Sequence, residues 1–170
     1  SNVRRWAEFG TLGAGGWTMA NREAPPLPSL YLEDETAWLE EMARLAAERR
    51  LDDLDFEHLS EYLSDMARRD RREVYSRLVV LLAHLLKWDH QPERRSGSWR
   101  GTILTQRREL RLLLESGTLR NHATACLAQA YQDAREQAAV ESELPAQKFP
   151  AECPWPLDEL IARGPEGEPA

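Results

Sequence analysis

The stretch Arg71–Trp88, RREVYSRLVVLLAHLLKW, decides how the chain folds. Between Leu78 and Leu86 its only polar side chain is His84, so no face of this segment is suited to water. A helix that is apolar nearly all round lies inside a protein or in a membrane. The run is far shorter than the roughly 18–20 residues that a bilayer span needs. We therefore predict that residues 71–88 form the buried central helix of an all-α bundle of about five helices.

Apolar residues at helical spacing predict four more helices, at about residues 33–50, 56–68, 99–116 and 119–142. Each has an apolar stripe that should face the central helix, and the stripe of the last one is rich in alanine, which favours close packing. The residues expected to be buried in the first two of these helices are Trp38, Met42, Leu45, Phe56, Leu59, Leu63 and Met66.

Capping residues set the predicted helix ends. Asp55 is suited to capping the helix that starts at residue 56, and Asp70 with Glu73 has the spacing of a capping box before residue 71. Pro92 ends the central helix because it cannot continue the hydrogen bonds. Ser98 is the expected cap of the next helix, and Gly117 the residue that ends it in a left-handed conformation.

The two ends of the chain differ from its middle in composition. Residues 1–29 contain four glycines and three prolines, which predicts a flexible N-terminal arm. Its aromatic residues are expected to dock on the domain or on a second copy of the chain; they are Trp6, Phe9 and Trp17. Residues 30–162 are predicted to form the helical domain. It ends in a proline-rich C-terminal clasp anchored by Phe149 and Trp155, and residues 163–170 form a disordered tail.

Charge is distributed unevenly along the chain. The net charge of −7 argues against a protein that coats nucleic acid or anionic lipid with its whole surface. Residues 68–111 nevertheless contain 12 basic and 5 acidic side chains, so this segment carries +7 and the rest −14. Either the basic segment binds an anionic partner, RNA or an acidic protein, or it packs beside acidic helices that neutralise it. The low pI favours the second interpretation.

The densest polar cluster follows the central helix, in AHLLKWDHQPERRSGSW. If the next helix folds back antiparallel, these side chains converge at one end of the bundle and form a basic corner suited to phosphate or carboxylate. The candidate ligand-binding residues are His84, Lys87, Gln91, Arg94, Arg95, Ser98, Trp99, Gln106 and Arg107. A corner of this kind is also commonly a network that only pins the turn, with Lys87 paired to an acid such as Glu57, Glu61 or Asp65.

Other chemistry finds little support in the sequence. No phosphate-binding glycine loop, nucleophile elbow or zinc pattern is present, and no cofactor is implied. His84 and His90 are six residues apart, the wrong spacing for a metal site on one helix face. The two cysteines lack metal or redox spacing, and no signal peptide is recognisable, so a cytoplasmic location is expected. A binding or regulatory module is therefore favoured. The alternative is an enzyme that acts on a phosphate-containing or nucleic-acid substrate with His84 as acid–base.

Several segments together resemble a known family. They are the Asp34…Trp38 opening, LDDLDFEHLSEYL, LLAHLLKWDHQPERRSGSWRGTILTQRREL, AYQDAREQAA and FPAECPW. From Tyr31 to about Ile161 the chain is similar to the bacterial family catalogued as domain of unknown function 29. The resemblance implies an all-helical bacterial cytoplasmic protein and brings no established activity or ligand. The family's polar signature falls on the same nine residues as the basic corner.

Overall fold

The computed structural model describes residues 26–162. Most of the predicted arm, with Trp6, Phe9 and Trp17, and the predicted tail lie outside the described residues. Residues 26–162 contain six α-helices and no β-strand, which confirms the prediction of an all-α helical bundle. The helices are α1 (Leu27–Glu33), α2 (Glu35–Ala47), α3 (Phe56–His90), α4 (Gly97–Leu113), α5 (Gly117–Ser142) and α6 (Leu157–Ala162). The chain divides into two compact units, one up to Leu59 and one from Ser60.

The first unit is built around Trp38, which is fully buried on α2. Asp34 caps this helix by accepting a hydrogen bond from the backbone N–H of Ala37 at 3.0 Å. Met42 and Leu45 are buried one and two turns further on, so the predicted apolar stripe is confirmed. The short helix α1, which begins after Pro26, was not predicted.

Asp55 joins the elements of this first unit. As predicted, it caps the following helix: its Oδ1 accepts from the backbone N–H of His58 at 3.3 Å. Its other oxygen lies 2.7 Å from the His58 ring and accepts from the indole N–H of Trp38 at 3.3 Å. The Tyr31 ring packs against both aromatic partners. The carboxylate thus satisfies the buried indole and the start of α3 together.

The long helix α3 corrects the predicted break near residue 70. The helices expected at 56–68 and 71–88 are one helix, Phe56–His90, and Asp70 and Glu73 lie inside it rather than forming a capping box. Glu73 is instead paired with Arg77 one turn later in the helix, where an Arg77 nitrogen lies 2.7 Å from its carboxylate. An aspartate followed three residues later by a glutamate therefore marked no helix start here, because the spacing also places charged groups on one face of a continuing helix.

The first half of α3 is also more exposed than predicted. Phe56, Leu63 and Met66 were expected to be buried, but they are 59 %, 58 % and 44 % exposed. The helix becomes a core element only from Val74 onward. Beyond that residue its buried side chains are Leu78, Leu81, Leu82, Ala83, Leu85, Leu86, Lys87 and Trp88, which confirms the central part of the prediction.

In the second unit, α4 and α5 pack their apolar faces into the core that α3 begins. Ile103 and Leu110 of α4 are fully buried, as are Ala130 and Ala134 of α5. Small side chains at these α5 positions allow close approach of helix axes. The predicted stripes are confirmed.

Two helix ends differ from the sequence-based expectation. The cap of α4 is Ser96, whose hydroxyl accepts from the N–H of Trp99, and not Ser98. Gly117 starts α5, capped by Ser116, instead of ending α4. In both places a serine before a glycine competes with the predicted signal, and the serine provides the acceptor that the first turn needs.

Residues 143–162 continue from α5 and return along it. Phe149 and Trp155, the predicted anchors, are buried. The Tyr131 hydroxyl of α5 donates to the Pro150 carbonyl at 2.8 Å, and Gln132 donates to Ala151 at 2.8 Å. These bonds satisfy carbonyls of an irregular segment. The function of this segment as a clasp stays a prediction.

Within residues 26–162, no helix combines the length and the apolar character that crossing a bilayer demands.

Candidate functional site

The nine predicted corner residues lie at the end of α3, in the following turn and along α4, all in the second unit. They separate into three groups by exposure. Lys87, Gln91 and Arg107 are buried, and Arg94, Arg95 and Ser98 are exposed, while His84, Trp99 and Gln106 are half-buried. The buried members and the exposed members have different contacts, and we describe them in turn.

The buried ammonium of Lys87 is neutralised inside the protein. Its Nζ donates to a carboxylate oxygen of Glu141 on α5 and lies 4.9 Å from the centre of the Trp99 ring. Burial raises the pKa of Glu141, but the hydrogen bonds from Lys87 and Gln137 outweigh it and lower that pKa. The partner predicted for Lys87 was Glu57, Glu61 or Asp65. That pairing is wrong, and Asp65 instead pairs with Arg68.

Two other buried polar side chains donate to backbone carbonyls. Gln91 donates its amide N–H to the carbonyl of Ser142 at 3.1 Å, at the point where α5 ends. Arg107 is 3 % exposed and donates its Nε–H to the carbonyl of Leu160 in α6 at 2.8 Å. Helix C-termini leave carbonyls without intrahelical donors, so both side chains hold a helix end in place.

His84 is half-buried on α3, and its Nδ1 lies 2.9 Å from the Val80 carbonyl one turn earlier. A carbonyl can only accept, so Nδ1 carries the proton and Nε2 is left as the acceptor. Burial lowers the pKa of His84, and the nearby charge of Lys87 acts in the same direction. The imidazole is therefore neutral near pH 7 and adds no positive charge to the corner.

Gln106 belongs to a neighbouring network on the side of α4 that faces α3. Its side-chain oxygen accepts from Arg77 at 3.2 Å, and the Arg77 guanidinium also binds Glu73. This contact joins α3 to α4 and keeps Arg77 oriented between an amide and a carboxylate.

The exposed group is the turn that leads into α4. Arg95 donates its Nε–H to the Trp88 carbonyl at 2.9 Å and stacks its guanidinium over the Trp88 ring at 5.0 Å. Arg94 is exposed beside it, and within residues 26–162 neither arginine forms an ion pair. A Cβ added at Gly97 would meet nothing within 4 Å, so the first turn of α4 is open to approach.

The start of α4 favours negative charge. The first N–H groups of a helix lack intrahelical acceptors and carry a partial positive charge, and α4 has no acidic residue in its first turn. Ser98 adds a hydroxyl in that turn. Asp89 and Glu93 are also exposed close to the turn in the chain, so they moderate its positive charge.

Metal and thiol chemistry have no assembled site in the described part of the chain. No group of three or more histidine, cysteine or acidic side chains between residues 26 and 162 could hold a metal ion. Cys126 and Cys153 are both free and half-buried, and burial raises the pKa of each thiol. Neither is therefore activated as a thiolate.

Sequence reasoning missed the partners that neutralise the corner. Glu141 is 54 positions from Lys87, and the Ser142 and Leu160 carbonyls are 51 and 53 positions from their donors. No local spacing connects residues so far apart. The only available signal was an acidic side chain at a helix end, and many helices share that feature.

The class of protein is set by this fold and corner: an all-α bundle with a buried polar network at one end of its core helix. Residues 30–164 match the family described as Domain of unknown function DUF29. Since the match covers most of the chain, the protein belongs to this family. No curated protein and no solved structure matches the chain.

Proposed function

We propose that the protein is a non-catalytic binding module that holds an acidic segment of a partner protein at the turn 94–98. The observation that carries the proposal is the pair Arg94 and Arg95, exposed and without an ion pair in the described chain, directly before the open start of α4. Guanidinium groups match carboxylates with two parallel hydrogen bonds, and the free N–H groups of a helix start attract anions.

The buried corner residues support this role indirectly, as a platform. Lys87, Gln91 and Arg107 are occupied by contacts within the protein, so a ligand would have to break those contacts to reach them. Arg95 is oriented by the Trp88 carbonyl and ring. A guanidinium held in advance loses less conformational entropy when it binds. The nine-residue site predicted from sequence is therefore reduced, in this proposal, to Arg94, Arg95 and Ser98.

An acidic protein fits these contacts better than RNA does. Proteins that bind single strands stack bases on exposed aromatic rings. Trp88 is buried beneath Arg95, and Trp99 is half-buried with Lys87 over its ring. RNA binding is consequently the outcome that the experiment must separate from peptide binding.

The enzyme alternative, with His84 as acid–base, has less support. A general base needs a substrate proton within hydrogen-bond reach in an open cleft. His84 directs Nδ1 at the Val80 carbonyl, and the cation that acts on its pKa, Lys87, is already paired with Glu141. We retain the alternative only as an outcome that activity screening would reveal.

The direct experiment titrates a fluorescent oligo-glutamate peptide into the protein and follows anisotropy over a salt series. We expect binding that weakens as salt rises. Replacing both arginines, R94Q/R95Q, should weaken binding by about tenfold or more, since hydrogen bonds to charged groups contribute about 1.5–3 kcal/mol each. A mixed-sequence oligoribonucleotide of equal charge should bind more weakly than the peptide.

Matched controls separate the site from the overall charge. R108Q/R111Q removes two exposed charges from the far part of α4 and should leave peptide affinity within about twofold. E93Q removes an acidic group next to Arg94 and should strengthen binding. Equal losses in R94Q/R95Q and R108Q/R111Q, or tighter binding of RNA than of peptide, would overturn the proposal.

Three broader predictions accompany this function. We propose a cytoplasmic location in a bacterium, with residues 30–162 acting as the functional helical region, consistent with the extent of the family match. Self-association through the arm 1–29 is part of the same proposal. Sedimentation equilibrium should then give the mass of two or more copies for the full chain and of a single copy for a form starting at residue 26.

A further inference from the structure

A second basic surface lies between α3 and α5, away from the corner. It is an open groove of about 290 Å³ lined by Arg71, Arg72, Tyr75, Ser76 and His122. Four of the five residues come from one face of α3, as two adjacent pairs three to four residues apart. The fifth, His122, comes from the second turn of α5.

The two arginines of the groove are available to a ligand. Arg71 and Arg72 are exposed, and neither forms an ion pair with any residue between 26 and 162. Two carboxylates close to these residues, those of Glu73 and Asp133, already have partners within the protein. Glu73 binds Arg77, and Asp133 accepts from the Tyr75 hydroxyl at 2.5 Å and from Gln129 at 2.9 Å. Asp70 is exposed and does not line the groove.

Tyr75 gives the groove an apolar, fixed wall. Its hydroxyl is held by Asp133, and this hydrogen bond, together with burial, raises the pKa of Tyr75 to about 12. The phenol therefore stays neutral and keeps donating to Asp133 at physiological pH. Its ring is half-buried between the two helices and can pack against an apolar group of a ligand.

We propose that this groove binds a small phosphate monoester, with the phosphate held by Arg71 and Arg72 and the apolar part of the ligand against Tyr75. Guanidinium forks bind phosphate oxygens in pairs, and the Ser76 hydroxyl adds a third donor one turn from Arg72. The volume is near the lower limit of ligand pockets, so it suits one small molecule rather than a polymer.

The groove is independent of the turn proposed to bind acidic protein. Arg72 and Trp88 are 16 residues apart on α3, a distance of about 24 Å along a helix axis. The two sites share no residue. A variant can therefore lose one function and retain the other, and the two proposals can fail separately.

The experiment measures binding of phenyl phosphate and of inorganic phosphate to the full chain by isothermal titration calorimetry. We expect phenyl phosphate to bind more tightly than inorganic phosphate, because only phenyl phosphate contacts Tyr75. R71Q/R72Q should weaken binding of both by about tenfold or more. The control R68Q/R69Q removes two charges one turn away on the same helix, outside the groove, and should weaken binding clearly less than R71Q/R72Q, because these groups act on the phosphate only through space.

Two further measurements, on Y75L and on the His122 ring, test where the ligand lies in the groove. Y75L should abolish the preference for phenyl phosphate over inorganic phosphate. Thermal melting of each variant identifies those that fold, and the exposed positions of Arg71 and Arg72 favour intact folding of the double variant. The His122 ring signals in an NMR titration should shift with phenyl phosphate. Absent binding, equal losses in R71Q/R72Q and R68Q/R69Q, or an unmoved His122 ring would each overturn the inference.

Discussion

Lys87 offers the sharpest test of how the corner is stabilised, through the variants E141A and K87M. Alanine at position 141 would leave the Lys87 ammonium, which is 4 % exposed, without its carboxylate. Breaking a fully buried pair from one side costs about 3–5 kcal/mol. The Glu141 side chain is 38 % exposed, and solvent screening reduces the expected cost to about 2 kcal/mol.

Removing the ammonium instead of the carboxylate should lower the free energy of unfolding much less. K87M keeps an apolar stem of similar length in the core and leaves a carboxylate that water can reach, so we expect a loss below about 1 kcal/mol. In the double variant E141A/K87M there is no buried ammonium to lose its carboxylate. The free energy of unfolding of this variant should therefore match that of K87M. The magnitude of the coupling energy of the cycle then equals the cost of E141A, about 2 kcal/mol.

Urea unfolding followed by circular dichroism measures these differences. For a chain of this size E141A should also lower the melting temperature by about 4–8 °C. The effect has a defined pH dependence: the pKa of Glu141 is lowered in the folded state, so its contribution is present above the unfolded pKa and is lost as pH falls through the folded one. Equal losses in both single variants, or a larger loss in K87M, would refute the assignment of Lys87 as a buried, internally paired cation.

Three further outcomes are expected. The pKa of His84 is lowered in the folded state, so the unfolded chain takes up a proton first as pH falls. The stability should therefore decrease as pH drops below 6.5. H84N should flatten this pH dependence in melting curves recorded between pH 5 and 6.5. Y75F should lose less than about 1 kcal/mol in urea unfolding, because water can replace the phenol at Asp133. Its stability should also fall less between pH 10 and 12 than that of the parent, in which the raised pKa values of both Tyr75 and Tyr131 contribute to the loss. R107M leaves the Leu160 carbonyl without its donor and should cost about 1–3 kcal/mol, measured in the same unfolding assay. An unchanged pH slope in H84N, or full stability in R107M, would contradict the contacts described for those residues.

Most of the fold was predictable because it depends on local periodicity. Trp38, Met42 and Leu45 recur at spacings of three and four, which predicts one buried face of a helix, and all three are buried. The core part of α3 was equally clear, since residues 78–86 present no polar face. Such signals need no knowledge of distant parts of the chain, and they were confirmed.

The errors arose where two local signals compete. The capping-box spacing of Asp70 and Glu73 predicts a helix start, although charged residues also fill the exposed turns of a long helix. Leu63 and Met66 have helical spacing, yet a stripe alone does not show that a partner surface exists. Ser96 lies two residues before Ser98. Both serines are suited to capping a helix, and sequence alone did not decide between them.

The candidate sites depend on long-range pairing, which local patterns do not encode. The nine corner residues were recognisable as a polar cluster, but the neutralisation of Lys87 by Glu141 depends on how α5 packs beside α3. In the same way, the groove beside Tyr75 needs His122 from another helix. The sequence could therefore indicate which residues carry charge, and the fold determines which of them remain available.

The central claim is that the corner binds through its exposed arginines and uses its buried cations only for structure. Side-chain NMR of arginine Nε–H groups during titration with an oligo-glutamate peptide tests this most directly. We predict that the signals of Arg94 and Arg95 move with the peptide while that of Arg107 stays in place. Movement of the Arg107 signal with Arg94 and Arg95 unchanged, or no movement of any of the three, would contradict the account.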